Sequence, residues 1–134
     1  METITRTALL HEIARDYVTK GLAAKNFDAI PYDDNVSLRA PLTAGGIWQP
    51  LTGKDNLRSQ WWAPLPSLVG KVSFIDSYVN EDETAVTVEF HCEILSPSCI
   101  LRVIDRFKIN EDGLITEQEN FFDPRSVQTP DGYY

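Results

Sequence analysis

Between residues 84 and 95 apolar side chains take every second position, with Val86, Val88, Phe90, Cys92 and Ile94 set against Thr87, Glu89, His91 and Glu93. Side chains alternate across a strand, so this pattern predicts a strand with one buried and one polar face. Residues 71–79, 99–109 and 114–123 read the same way, and the joints "NEDE", "SPS" and "NEDG" are rich in turn formers. Upstream the period changes. Leu9, Leu10, Ile13, Ala14, Tyr17, Val18 and Leu22 recur at helical spacing and predict an amphipathic N-terminal helix, with His11 off its stripe as a solvated surface residue. A short helical turn follows at "NFDAI", limited by Pro31. Residues 35–42 alternate again, Val36, Leu38 and Ala40 against Ser37 and Arg39, and the acids of "YDDN" before them read as turn and capping chemistry. Thr52 is the N-cap candidate of a helix that runs to about Trp62, before Pro64 and Pro66 stop it. Helices at the front and a meander behind predict an α+β fold, one twisted antiparallel sheet with helices on one face. No repeat or linker breaks the chain, which reads as a single domain, and the tail from Asp123 has no periodicity and reads as a surface extension.

Composition narrows the partners. With 134 residues and 43% hydrophobic content the chain can bury one core. Its formal charge of −8 repels phosphate backbones and anionic lipid, so neither nucleic acid nor membrane is an expected partner. No apolar run reaches the length of a bilayer span, and the first 18 residues lack the basic start and apolar middle of a secretory signal, which makes a cytoplasmic location the expectation. Cys92 and Cys99 have no metal-ligand spacing and read as free thiols in a reducing compartment. His11 and His91 with scattered acids form no metal signature, and neither a glycine-rich phosphate loop nor a nucleophile elbow occurs, so no cofactor is expected.

One acid breaks the pattern. In "CILRVIDRFKIN" Leu101, Val103, Asp105, Phe107 and Ile109 share the side that should be buried. An unpaired buried charge is costly enough that such a group usually neutralises. Asp105 is therefore either an acid facing a pocket or the partner of a buried tyrosine or of Arg39. A hairpin of even length at "SPSC" sets Asp105 on the face of Phe90 and Cys92 and leaves His91 on the opposite one. On the last strand Thr116, Gln118, Asn120 and Phe122 share a face that mixes polar groups with an aromatic ring, which suits either a ligand site or a solvated sheet edge. Trp61 and Trp62 point about 100° apart on a helix, placing one in the core and one at a cavity mouth.

The element order, together with "PYDDNVSLRAPL", "LTGKDNLRSQWW" and "LRVIDRFKINEDGLITEQENFFDP", resembles the nuclear-transport-factor-2-like superfamily, in particular its ketosteroid-isomerase-like and SnoaL-like branches, across roughly residues 5–124. The resemblance implies a cystatin-like α+β cone with a pocket, a scaffold shared by isomerases, dehydratases, epoxide hydrolases, cyclases and non-catalytic binding proteins. Ketosteroid isomerases supply a protonated aspartate from a "VID" segment to their oxyanion hole, which implies that Asp105 is a neutral hydrogen-bond donor. Their general base precedes the proline closing the first strand. Here that residue is Ala40, which implies that the usual allylic isomerisation is absent. Tyr32 matches a pocket tyrosine, Trp61 another pocket position, and Tyr17 lies near the first-helix catalytic tyrosine. The epoxide hydrolases place a last-strand acid at Asn120, an amide that can orient a substrate or water but not act as a base, and an arginine and an aspartate near His91 and Glu93.

The catalytic candidates are thus Asp105, Tyr17, Tyr32 and Asn120, and the ligand contacts Trp48, Trp61, Phe90, Phe107, Gln118 and Phe122. The expected ligand is a small hydrophobic molecule, carbonyl or cyclic, handled by cofactor-free isomerase, lyase or hydrolase chemistry. The alternatives are a non-catalytic binding module, and an interaction protein that uses Arg102, Arg106 and Lys108 on the open sheet face. The superfamily commonly dimerises through that face, which implies a homodimer.

Overall fold

Thr5 opens the first helix by accepting a hydrogen bond from the Ala8 amide, and α1 (Arg6–Asp16) buries Leu10, Ile13 and Ala14. In the computed structural model, which describes residues 4–96, 98–129 and 132–133, α1 runs directly into a π-helical turn, Tyr17–Leu22. That turn buries Tyr17, Val18, Gly21 and Leu22. A 3₁₀ turn, Phe27–Ala29, leads to β1 (Tyr32–Arg39), and a loop leads on to β2 (Leu51–Thr52). The second helical passage is built like the first: α2 (Lys54–Asn56) becomes a π-helical turn, Leu57–Trp62, followed by α3 (Leu65–Leu68). The meander is β3 (Val69–Val79), β4 (Ala85–Leu95), β5 (Ser98–Ile109) and β6 (Ile115–Phe121); beyond it lie a 3₁₀ turn, Pro124–Val127, and a small ladder of β7 (Gln128–Thr129) with β8 (Gly132–Tyr133).

The main sheet has the order β2-β1-β6-β5-β4-β3. The meander starts at the far edge and walks back until β6 lies beside β1, where the two run parallel while the other neighbours are antiparallel. The sheet is therefore mixed, an α+β architecture with the predicted helices on one face. The parallel pair could not be read from local pattern, because it joins residues far apart in the chain.

Three local readings are amended. Thr52 ends β2, and the N-cap is Gly53 at φ 94°, ψ 136°, a conformation glycine reaches without a Cβ penalty. Asp33 and Asp34 belong to β1 rather than to a turn. The tail is not wholly superficial, since Val127 is fully buried.

Register decides which side chains meet. Val88 pairs with Asp105, Phe90 with Val103 and Cys92 with Leu101, while His91 pairs with Arg102 on the other face. Two basic side chains fasten the helices. The Arg6 guanidinium donates to the carbonyls of Glu83, Ile109 and Asn110, clamping the start of α1 to two hairpin ends. Lys25 donates to the carbonyls of Pro66 and Val69 and holds the far end of α3.

Candidate functional site

Two hollows share part of their lining. The smaller chamber, about 70 Å³, has Phe90, Cys92, Leu101 and Val103 along its apolar side and Tyr17 and Asp105 at its polar end. The larger one, about 270 Å³, is bounded by Ala40, Leu42, Thr43, Gln60 and Pro64. Trp61, Leu65, Asn120 and Phe122 border both.

Asp105 is 1% exposed, placed there by the strict alternation of β5. Its Oδ2 accepts a hydrogen bond from the Tyr17 hydroxyl at 2.9 Å, whereas Oδ1, also buried, has no partner among the described residues. Buried polar atoms are nearly always satisfied, so this orphan calls for an explanation. Burial in apolar surroundings pushes the Asp105 carboxyl up to about 8, against a smaller downward pull from the Tyr17 hydrogen bond. At neutral pH the acid is mostly protonated, and a protonated carboxyl has a hydrogen to donate.

A chain of hydrogen bonds stands behind it. The Tyr32 hydroxyl donates to Gln118 Oε1 at 2.6 Å, and Gln118 Nε2 donates to Tyr17 Oη at 3.1 Å and to Asn120 Oδ1 at 2.9 Å. Burial raises both tyrosines well above the ordinary phenol value, with the Asp105 charge adding to the rise. Burial likewise pushes the Cys92 thiol up to about 12. None of Asp105, Tyr17 and Cys92 is an ionised base at neutral pH, and Ala40 stands in the wall of the larger hollow as a methyl group.

The predicted site residues separate into those that line the hollows and those that do not. Asp105, Tyr17 and Asn120 come together on the chamber wall, and Tyr32 lies two hydrogen bonds behind Tyr17 and Asn120, through Gln118. Trp61, Phe90 and Phe122 line the hollows, while Trp62 packs inward against Phe27, with ring centres 5.5 Å apart. Three expected ligand contacts lie outside the lining of both hollows. Trp48, in the loop between β1 and β2, is 86% exposed and lines neither hollow. Phe107 is fully buried beneath the site, its ring 4.7 Å from that of Tyr17, and supports the tyrosine rather than the ligand. Gln118 sits behind the chamber with its amide hydrogens engaged by protein oxygens. Of the two readings of Asp105, the tyrosine partner is real, but it accounts for only one carboxyl oxygen; Arg39 forms no ion pair among the described residues. His11, expected in solvent, is half-buried, with Nδ1 2.6 Å from the Ser77 hydroxyl.

Sequence reasoning missed Cys92, Leu101, Val103 and Leu65 as chamber residues. The first three lay on the apolar side of the predicted strands and could have been found from the same face as Asp105. Leu65 had no such signal.

A family model for the SnoaL-like domain matches residues 14–118. The chain belongs to the SnoaL-like family. Among curated proteins there is no significant sequence match. Solved structures share the nuclear-transport-factor-2-like fold. The steroid delta-isomerase of Pseudomonas aeruginosa is 20% identical with a TM-score of 0.66, covering 90% of this chain and 81% of its own. The epoxide hydrolase/cyclase-like enzyme SalBIII, of pyran ring formation in salinomycin, is 19% identical with a TM-score of 0.70, covering 84% and 88%. RV0760c of Mycobacterium tuberculosis, solved in complex with estradiol-17beta-hemisuccinate, is 12% identical with a TM-score of 0.67, covering 84% and 93%. At these identities the likeness is one of fold. No helix among the described residues is long and apolar enough to cross a membrane.

Proposed function

We propose that this SnoaL-like chain binds a small, largely apolar molecule in the cone and holds one of its oxygen atoms against Asp105. The observation that carries this reading is Asp105 Oδ1, a buried atom with no partner among the described residues, on an acid that lines a largely apolar chamber. A neutral carboxyl donates to a carbonyl or ether oxygen, and donates more strongly as that oxygen gains negative charge. Asn120 adds a second donor, since its Oδ1 is turned to Gln118 and its amide nitrogen remains at the wall. A neighbour of this fold holds an estradiol derivative, and others are an isomerase and a cyclase-like enzyme, which fits ligands of this kind.

If the site catalyses, the chemistry is cofactor-free isomerase, lyase or hydrolase chemistry, with Asp105 as acid or oxyanion donor and Tyr17, Tyr32 and Asn120 assisting. The wall offers an acid without a base, so the substrate must supply its own base or nucleophile. Ala40 favours the second reading, a binding module of the same fold that performs no chemistry. Two free cysteines and the acidic charge fit a cytoplasmic location, and the apolar residues of the open sheet face fit a homodimer.

The test is a series of phenols of graded acidity, followed by tryptophan fluorescence, in the natural protein and in Asp105→Leu. Phenolates imitate an enolate oxygen, so affinity should depend on phenol pKa in the natural protein and lose that dependence in the variant. Equal binding by both proteins would make Asp105 a structural residue only.

A further inference from the structure

Gln118 is the residue through which the two buried tyrosines and Asn120 are joined, and its bonds have a direction. An amide nitrogen carries two hydrogens and accepts none. Both hydrogens of Gln118 Nε2 are used, one on Tyr17 Oη at 3.1 Å and one on Asn120 Oδ1 at 2.9 Å, while Oε1 accepts from the Tyr32 hydroxyl at 2.6 Å. On the Gln118 side Tyr17 Oη can therefore only accept. Its single hydrogen is committed to Asp105 Oδ2, 2.9 Å away. Oδ2 already receives a hydrogen, so the proton of the neutral acid resides on Oδ1, the oxygen without a partner among the described residues. Asn120 follows the same logic and keeps its NH₂ for the chamber.

The reverse arrangement would use the same atoms at the same distances. Asp105 Oδ2 would carry the proton and donate to Tyr17 Oη, and Oδ1 would stand at the chamber as an acceptor. That pocket would favour an alcohol or an amine. The amide of Gln118, whose Oε1 takes the Tyr32 hydroxyl hydrogen, separates the two states.

We infer that Gln118 is a positioning residue that sets the direction of this hydrogen-bond chain, so that the chamber presents donors alone and selects a ketone over the corresponding alcohol. The inference rests on the reading of Asp105 as a ligand-facing donor and assigns the control of that donor to a residue that touches no ligand.

Indan-2-one and indan-2-ol serve as the probe pair, with affinities from tryptophan fluorescence and the infrared carbonyl band of the bound ketone as a second readout. The natural protein should bind the ketone more tightly and shift its carbonyl band to lower frequency than in an apolar solvent. In Gln118→Met, which keeps the volume and removes both amide groups, the ketone-to-alcohol ratio should fall about fivefold, the worth of one ordinary hydrogen bond, and the band should move back. Tyr32→Phe deletes one hydroxyl, frees the Gln118 amide to turn, and should move both readouts the same way by less; it decides alone if Gln118→Met fails to fold. A purely structural glutamine would change both affinities together and leave ratio and band in place. Ratio and band retained in the folded variants would overturn the role of Gln118 while leaving the Asp105 donor intact. No ketone preference and no band shift in the natural protein would remove the donor reading itself, and this inference with it.

Discussion

At the scale of single residues, Asp105 ties the site to stability. Its carboxyl is held at about 8 in the folded chain against 3.8 when unperturbed. Between those values the folded state keeps a proton that the unfolded state has lost, so the unfolding free energy falls as pH rises through that window. The slope approaches about 1.4 kcal/mol per pH unit from this one group. Asp105→Asn has the same shape and no titration. Urea unfolding of the two proteins between pH 5 and 9 should show the natural protein losing stability relative to the variant up to about pH 8, then running parallel to it. A constant difference across that range would mean that Asp105 is ionised in the folded protein. Binding follows the same sign: a ligand that accepts a hydrogen bond should lose affinity above about pH 8, where the acid surrenders its proton. Asp105 was legible in the sequence because a single acid within a strict alternation has only one face to occupy. Trp48, expected at the ligand, is 86% exposed, and no local pattern says which way a loop turns.

At the scale of elements, the meander was read from its alternation, and β4 and β5 agree with it position by position. The helical passages were located, but not their geometry. Each ends in a π-helical turn, Tyr17–Leu22 and Leu57–Trp62, and those turns carry Tyr17 and Trp61 to the site. A 3.6-residue stripe contains no sign of such a turn, because the apolar residues it buries also fit an ordinary helix. The start of the second passage is a test of backbone strain alone. Gly53 sits at φ 94°, and a Cβ there would meet nothing closer than the Asn56 side chain at 3.6 Å. Gly53→Ala should therefore cost about 1–3 kcal/mol through backbone conformation rather than by collision. By contrast, in Gly21→Ala the new carbon would fall 2.7 Å from Ile30 Cγ1, a clash inside the core that must displace the strand entry. Urea midpoints of the two variants separate these causes when paired with phenol binding. Gly53→Ala should keep the chamber and its affinity, and unchanged stability in that variant would mean that the turn relaxes without strain.

At the scale of the whole molecule, the sheet has two faces with different fates. One is closed over by the helices; the other carries Ile100 at 65% exposure, with Ile104 and Phe121 at 43% each. Ile104 and Phe121 are direct partners across β5 and β6, so their apolar surface is continuous. Beside them stand the ion pairs of Arg106 with Glu119 at 3.1 Å and Lys108 with Glu117 at 3.4 Å, and the Arg106 guanidinium lies over the Phe121 ring. An apolar centre with a charged rim is the anatomy of a protein interface, and a self-complementary patch of that kind favours two copies about a two-fold axis. The proposed homodimer therefore predicts twice the chain mass in sedimentation equilibrium. Ile104→Glu places a charge at the centre of the contact and should shift the population to monomer. Because Ile104 lies on the face away from the chamber, the phenol affinity of that monomer should stay close to that of the natural protein. A natural protein that sediments as a monomer would remove the dimer. A monomeric variant that has lost ligand affinity would instead mean that pairing supports the cone, with the sheet's curvature dependent on the second copy.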